Sequence, residues 1–239
     1  MVILDRKDLL YTRLLFTLVG LLLVGVLTSG ALTTTILYAL LGIVMVIAVW
    51  QKSHRRLPTL VTFVIGLANV GATFWTGIET EPTTLSIAAS RLTGVLFVGT
   101  VGSFLLREVW QENHVTLDTI AGAITVYVLI GIGWTHIYSL IETLEPGSFF
   151  MPLIDSAESL ETRKHVGAYP NLLFFSFVTL TTLGYGDTLP TTASAKGFAI
   201  AEAIAGPLFL ATLMARLVGL YIANESKRHS PPEREPRGD

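Results

Sequence analysis

The chain has 239 residues, a formal net charge of −2, 51% hydrophobic residues and only 14% charged ones. Soluble domains carry about 25% charged residues, so a water-soluble globule is excluded, while the near-neutral balance says little about partners. Cysteine is absent, which rules out disulfides and thiolate metal sites within the chain.

A bilayer core needs about 20 apolar residues per helical span. Six such stretches can be read, at about 9–28, 32–50, 57–77, 85–106, 117–141 and 195–223. The first could instead be a signal peptide, since Arg6, Lys7 and Arg13 precede or enter an apolar run. Asp5 and Asp8 dilute that positive start, no Ala-x-Ala cleavage site follows, and the run is long enough to span. Small residues on the third span, Gly66, Ala68, Gly71 and Ala72, suit close helix packing. The fourth span has Arg91 near its outer end and Arg107 near its inner end, with no cation between. Residues 107–118 then form an interfacial linker that Trp110 can hold at the membrane surface. After the fifth span, 142–168 is a long acidic loop, and acidic rings at a cation entrance raise the local cation concentration. The apolar segment 169–181 is too short to cross and reads as a re-entrant helix. The tail from Ser226, with Pro231 and Pro232 and mixed charge, reads as disordered.

Lys and Arg favour the cytoplasmic side of a membrane. Arg6, Lys7 and Arg13, then Lys52, Arg55 and Arg56, then Arg107, then Lys227, Arg228, Arg234 and Arg237 all fall on one side of a six-span topology. The opposite side collects Glu79, Glu81, Glu142, Glu145, Asp155, Glu158, Glu161 and Asp187 against Arg163, Lys164 and Lys196. The expectation is a multi-pass protein of the cell membrane with both termini cytoplasmic.

The most specific stretch is Thr181-Thr182-Leu183-Gly184-Tyr185-Gly186-Asp187. A potassium ion must shed its water shell to cross a membrane selectively, and rings of backbone carbonyls from four Thr-Val-Gly-Tyr-Gly-type loops can replace that shell. Aiming successive carbonyls at one axis needs backbone conformations closed to most L-residues, and Gly184 and Gly186 sit where only glycine adopts them cheaply. Thr182 can add a ring of hydroxyls, and Asp187 lies at the outer mouth. From about Thr116 to Asn224 the chain resembles the pore module of tetrameric potassium channels of the pore-loop, voltage-gated-like superfamily: outer helix, pore helix, filter, inner helix.

The resemblance implies K⁺ sites at Thr182, Leu183, Gly184 and Tyr185, with K⁺ as the permeant ion and no other cofactor. One filter strand per chain implies a fourfold homotetramer. Gly206 stands where many family members have a hinge glycine, and Pro207 after it removes a backbone hydrogen bond, so a kink is expected there. Leu210, Met214 and Val218 follow on one helical face and should line an apolar vestibule able to gate by dewetting. Arg216 falls nearly opposite Met214 and should snorkel or pair near the cytoplasmic interface. The pore helix, about half a bilayer core long, would aim its negative C-terminal end at a cation below the filter.

The chain departs from the family pattern in places. Leu183 replaces valine, Phe174 stands where many members have a tryptophan that holds the filter Asp, and Val178 stands where some have a carboxylate. Asp187 thus lacks both familiar clamps.

The first four spans suggest the six-span architecture without its charged sensor. A voltage sensor needs several cations on one helix, because one charge crossing 100 mV yields only about 2.3 kcal/mol. Arg91 alone would give four subunits at most about 9 kcal/mol per 100 mV. It reads better as an interfacial anchor or a partner of Glu79 or Glu81.

The expected organisation is all-α and integral to the membrane, with six transmembrane helices, a re-entrant pore helix and a filter. Residues 1–106 form a four-helix scaffold, 107–118 the linker, 119–225 the pore module and 226–239 the tail. The expected function is passive, K⁺-selective conduction with weak or no voltage gating. The alternative is a potassium transporter subunit or a non-conducting sensor that keeps the pore-loop fold; transporters of that lineage usually carry several degenerate filters per chain, and this one has a single intact copy. No nucleotide site, catalytic triad or metal cluster is visible, and neither an enzyme nor a nucleic-acid binder is expected. His54, His114, His136, His165 and His229 read as bystanders.

Overall fold

The computed structural model describes residues 9–27, 40, 42–44, 46–47, 49–50, 56–79, 82–112, 115–151 and 168–229. In lipid every backbone polar group must be satisfied within the protein, which makes apolar runs of this length helical. Six helices have assigned bounds: α1 (Leu10–Leu27), α2 (Arg56–Ile78), α3 (Thr84–Gln111), α4 (Leu117–Leu144), α5 (Ala168–Leu180) and α6 (Ala193–His229). Two short strands, β1 (Phe149–Phe150) and β2 (Leu189–Pro190), pair antiparallel.

Among the described residues four helices are long and apolar enough to cross a membrane: within α2, α3, α4 and α6. The expected second span lies largely outside the described residues; those described between 40 and 50 are helical. Threonines start the later helices. Thr83 accepts a hydrogen bond from the Ser86 N–H at 3.1 Å, Thr116 from Thr119 at 3.1 Å and Thr192 from Ala195 at 3.4 Å, each satisfying an otherwise orphaned donor.

α4 is the central post. α1, α3, α5 and α6 all pack against it. The main core joins Leu14 and Leu18 of α1, Val98, Val101 and Leu105 of α3, Val126 and Leu129 of α4 and Leu213 of α6. Small residues set the closest approaches: the α3 backbone at Gly94 lies against the His136 ring, and the α4 backbone at Gly131 against Phe177. Thr12 of α1 donates its N–H (2.8 Å) and its hydroxyl (3.0 Å) to Oδ1 of buried Asp118, pinning α1 to the foot of α4. A second core joins Tyr138, Phe149 and Phe175 edge to face at 5.2–5.4 Å, with Leu172 and Ala195.

Three boundaries differ from expectation. α3 runs past Arg107 to Gln111, because no Gly or Pro intervenes and Val109 still buries itself against Gly122 and Tyr11. The linker is therefore shorter than 107–118. α6 continues to His229, into the expected tail, and the prolines at 231 and 232 lie beyond it. The β1–β2 pair, absent from the all-α expectation, ties the chain just after residues 181–187 to the segment following α4 and is too short to leave a periodic signal.

Candidate ion pathway

The pathway is built on α5. Its 13 residues make about 20 Å of helix, and Leu172, Leu173, Phe175, Val178 and Leu180 bury themselves against its surroundings. Beyond Leu180 the chain does not continue as a helix or turn into a strand. Thr182 has φ +60°, Gly184 +64° and Gly186 +80°. Left-handed conformations at every second residue turn successive carbonyls toward one side, where a strand would alternate them.

The hydrogen bonds fix which side that is. The N–H of Thr182 donates to the Thr179 carbonyl at 3.0 Å, and those of Leu183 and Gly184 both donate to the Val178 carbonyl, at 2.9 and 3.3 Å. The donors of this segment thus point back to the helix, and its carbonyls are left for the other face. Thr181 closes the helix end by donating its hydroxyl to the Phe177 carbonyl at 2.6 Å. All of 181–187 is exposed on the single subunit.

Phe174, at the expected tryptophan position, stacks on the Tyr185 ring with centroids 6.0 Å apart and planes 4° apart. The described hydrogen bond of Asp187 comes from the adjacent Thr188 N–H at 3.1 Å. Within the subunit the 181–187 segment is therefore held by the Tyr185 ring on Phe174 and followed by the β1–β2 pair. The acidic loop is also partly structural. Glu142 accepts from the N–H groups of Gly147 (2.9 Å) and Phe149 (3.0 Å), and Glu145 accepts from the Ser194 hydroxyl at 2.7 Å. Residues 152–167 of that loop lie outside the described residues.

α6 passes behind and below α5 as one continuous helix through Gly206 and Pro207. A Cβ on Gly206 would sit 2.2 Å from the Leu180 carbonyl oxygen, so glycine is required for the inner helix to touch the end of the pore helix. Tyr127 of α4 donates its hydroxyl to that same oxygen at 2.9 Å. Leu210, Met214 and Val218 are all exposed on the subunit, on the part of α6 that its own chain leaves uncovered.

The two notable arginines are engaged. Arg216 donates to the backbone carbonyls of Trp110 and of Glu112 (the latter at 3.0 Å), and its guanidinium lies 4.9 Å above the Trp110 ring. α6 is thereby joined to the C-terminal end of α3. Arg91 sits 4.9 Å above the ring of Tyr169, at the start of α5. The expected pairing with Glu79 is not made, because both Glu79 oxygens are taken by Trp75 Nε1 (2.6 Å) and the Ser86 hydroxyl (2.7 Å); Glu81 lies outside the described residues. His136 packs in the same place, 3.4 Å from the Tyr169 hydroxyl.

Glu202 is absent from the residues that motif and spacing pick out, although a lone carboxylate inside an apolar span is itself a signal. It is fully buried behind the filter, 2.5 Å from the hydroxyls of Tyr138 and Ser176.

Residues 138–222 match the family model described as an ion channel. No curated protein and no solved structure matches the chain. The matched stretch runs from the second half of α4 through α5, the 181–187 segment and most of α6. The similarity of residues 138–222 to an ion channel family, in a chain whose described residues include four helices long and apolar enough to cross a membrane, points to a non-enzymatic channel protein.

Proposed function

We propose that the protein is the subunit of a potassium-selective channel that conducts K⁺ passively, as a cyclic homotetramer in the cell membrane with both termini cytoplasmic. One observation carries the reading: left-handed backbone at Thr182, Gly184 and Gly186, with the neighbouring N–H groups spent on the pore helix. That leaves the carbonyls of Thr182, Leu183, Gly184 and Tyr185 free to coordinate a dehydrated cation. Four such strands around an axis supply the stacked carbonyl rings that K⁺ requires. The exposure of 181–187 and of most of α6 supports a subunit whose remaining contacts come from three further copies and lipid.

Gating by voltage is weak in this reading. Arg91, the cation in the first half of α3, is held over the Tyr169 ring at the start of α5, and one charge per subunit yields little work. The inner gate is the apolar stretch Leu210, Met214 and Val218 below Gly206 and Pro207, where proline withholds a hydrogen bond from the Ala203 carbonyl.

The test is reconstitution into liposomes with opposed K⁺ and Na⁺ gradients. The expected reversal potential follows K⁺, with Rb⁺ permeating and Na⁺ largely excluded. A potential that follows Na⁺ as closely as K⁺ removes the reading. Gly184→Ala should abolish selective flux without dissociating the assembly. At φ +64° a Cβ meets no neighbour but costs about 1–2 kcal/mol of backbone strain per copy, repeated in all four filter strands.

A further inference from the structure

Glu202 is the one acidic residue buried in the apolar stretch of α6, and it is fully buried. Its partners lie on two other helices. Tyr138 Oη of α4 is 2.5 Å from Oε2, and Ser176 Oγ of α5 is 2.5 Å from Oε1. Both partners are hydroxyls, and among the described residues no cation pairs with the carboxyl group. Ser176 Oγ also lies 2.8 Å from the Gly131 carbonyl of α4, which accepts the Thr135 hydroxyl as well at 2.8 Å.

Counting protons decides the state of this cluster. A serine hydroxyl has one proton, a tyrosine hydroxyl has one, and a backbone carbonyl can only accept. The Ser176–Gly131 contact therefore needs the proton of Ser176. The Tyr138–Glu202 contact takes the proton of Tyr138. The third contact, between Ser176 and Oε1 of Glu202, has a proton only if Glu202 carries it. With an ionised Glu202 one of the three short contacts would bring lone pair against lone pair.

We infer that Glu202 is held as a neutral carboxylic acid and acts as the positioning residue of the pore helix. It donates from Oε1 to Ser176, which donates to Gly131, while Oε2 accepts from Tyr138. The chain of bonds ties α4, α5 and α6 together in one subunit. Four residues along α6, Gly206 touches the last carbonyl of α5. Glu202 thus fixes the middle of the pore helix where Gly206 fixes its end, and both hold the segment from which 182–186 departs. The protonation state rests on the hydrogen-bond geometry alone; the consequence for conduction rests on the channel reading proposed above.

The test compares wild type with Glu202→Gln and Glu202→Ala, assembled in lipid, by infrared difference spectroscopy and by K⁺ flux. A protonated carboxyl has a C=O stretch above the amide band that an ionised one lacks, and a deuterium-sensitive band of this kind should vanish in Glu202→Gln. Glutamine can donate to Ser176 and accept from Tyr138, so Glu202→Gln should keep flux within about twofold, while Glu202→Ala, which leaves both hydroxyls unpaired, should lose about tenfold or more. If Glu202→Ala does not assemble, Ser176→Ala and Tyr138→Phe replace it, and each should shift the band and lower flux by about threefold to tenfold. Absence of a carboxylic acid band assignable to Glu202 overturns the inference. So does Glu202→Gln being as impaired as Glu202→Ala, or full flux in all the variants that break the chain. A wild type that passes no K⁺ defeats the channel reading, while the band still reports the protonation state on its own.

Discussion

α4 and α6 contain candidate spans of equal length, 28 residues each, and similar apolarity, yet 56% of the α4 window is buried within the subunit and only 17% of the α6 window. α4 is finished by its own chain. Tyr127, Thr135, Tyr138 and Ser139 are spent on internal contacts, and α1, α3, α5 and α6 surround it. α6 is half-finished. A stripe of Ala195, Ala199, Glu202, Gly206, Phe209 and Leu213, spaced three and four apart, meets its own subunit, and nearly all the residues between them are exposed. Length and apolarity identify a span; the solvent for each of its faces is fixed by the neighbours. In α4 that solvent is protein, and in α6 it is in large part something outside the chain.

The largest test of this contrast lies on the α6 stripe. Gly206→Ala drives a Cβ to 2.2 Å from the Leu180 carbonyl, a backbone atom that cannot swing aside. Overpacking of this kind costs about 1–3 kcal/mol per site, and more where the backbone must move. The expected result is loss of the assembled particle by size-exclusion chromatography, with flux abolished. Gly197→Ala on the same helix, with nothing within 4 Å, should be neutral or stabilising by up to about 1 kcal/mol. Equal behaviour of the two variants breaks the assignment of the buried stripe.

The next test falls on α4. Leu129 is 2% exposed in the core of four helices. Leu129→Ala should destabilise the subunit by about 2–3 kcal/mol, the lower part of the core range because lipid already solvates the apolar side chain when unpacked. Leu208→Ala, 60% exposed on α6, should change thermal unfolding of the subunit by less than about 0.5 kcal/mol. A Leu208→Ala loss matching that of Leu129→Ala would mean that α6 is as self-contained as α4.

These contrasts also mark what was legible in the sequence. The short apolar helix α5 and the left-handed backbone at Gly184 and Gly186 were, because their signal is local: glycine carries its conformational preference wherever it stands. Helix existence was legible from apolar length. The roles of Gly206 and Glu202 were not, because each depends on an atom far along the chain: Leu180 for one, Tyr138 and Ser176 for the other. A lone glycine reads equally as hinge or contact until its neighbour is known. Of the roles read for Arg91, the pairing with Glu79 is not made, and the ring it meets, Tyr169, lies far along the chain. The strand pair β1–β2 has two residues a side and no periodicity to betray it.

The exposed face of α6 offers a functional test with little cost in subunit stability. Met214 and Val218 are 61% and 53% exposed. If that face borders a narrow aqueous vestibule, Met214→Asn and Val218→Asn wet it and raise basal K⁺ flux by about threefold or more, with K⁺ over Na⁺ preference unchanged because the filter is untouched. Unchanged flux in both variants, with normal assembly, sends this face to lipid or to a neighbouring subunit and removes the gate from it.

The smallest effect should come from the point where the two helices meet. Leu180 ends α5, and the last carbonyls of a helix have no partner within it. Tyr127 supplies one at 2.9 Å from the α4 side, while Gly206 presses on the same oxygen from α6. Tyr127→Phe removes only the hydroxyl. The ring stays stacked on Phe209, with centroids 5.9 Å apart, so packing volume is kept and no new atom enters. The cost is then that of one buried carbonyl losing its donor, about 1 kcal/mol, read as a fall of about 2–4 °C in the thermal midpoint for a subunit of this size. Thr181 is the next residue, so the loosened carbonyl lies at the base of the filter, and selectivity should soften slightly while assembly persists. Phe209→Leu, which disturbs the stack and leaves the hydrogen bond, should lower stability without touching selectivity. A selectivity change in Phe209→Leu but none in Tyr127→Phe would mean that the inner helix steadies the filter base through packing alone, and that α4 has no direct hold on it.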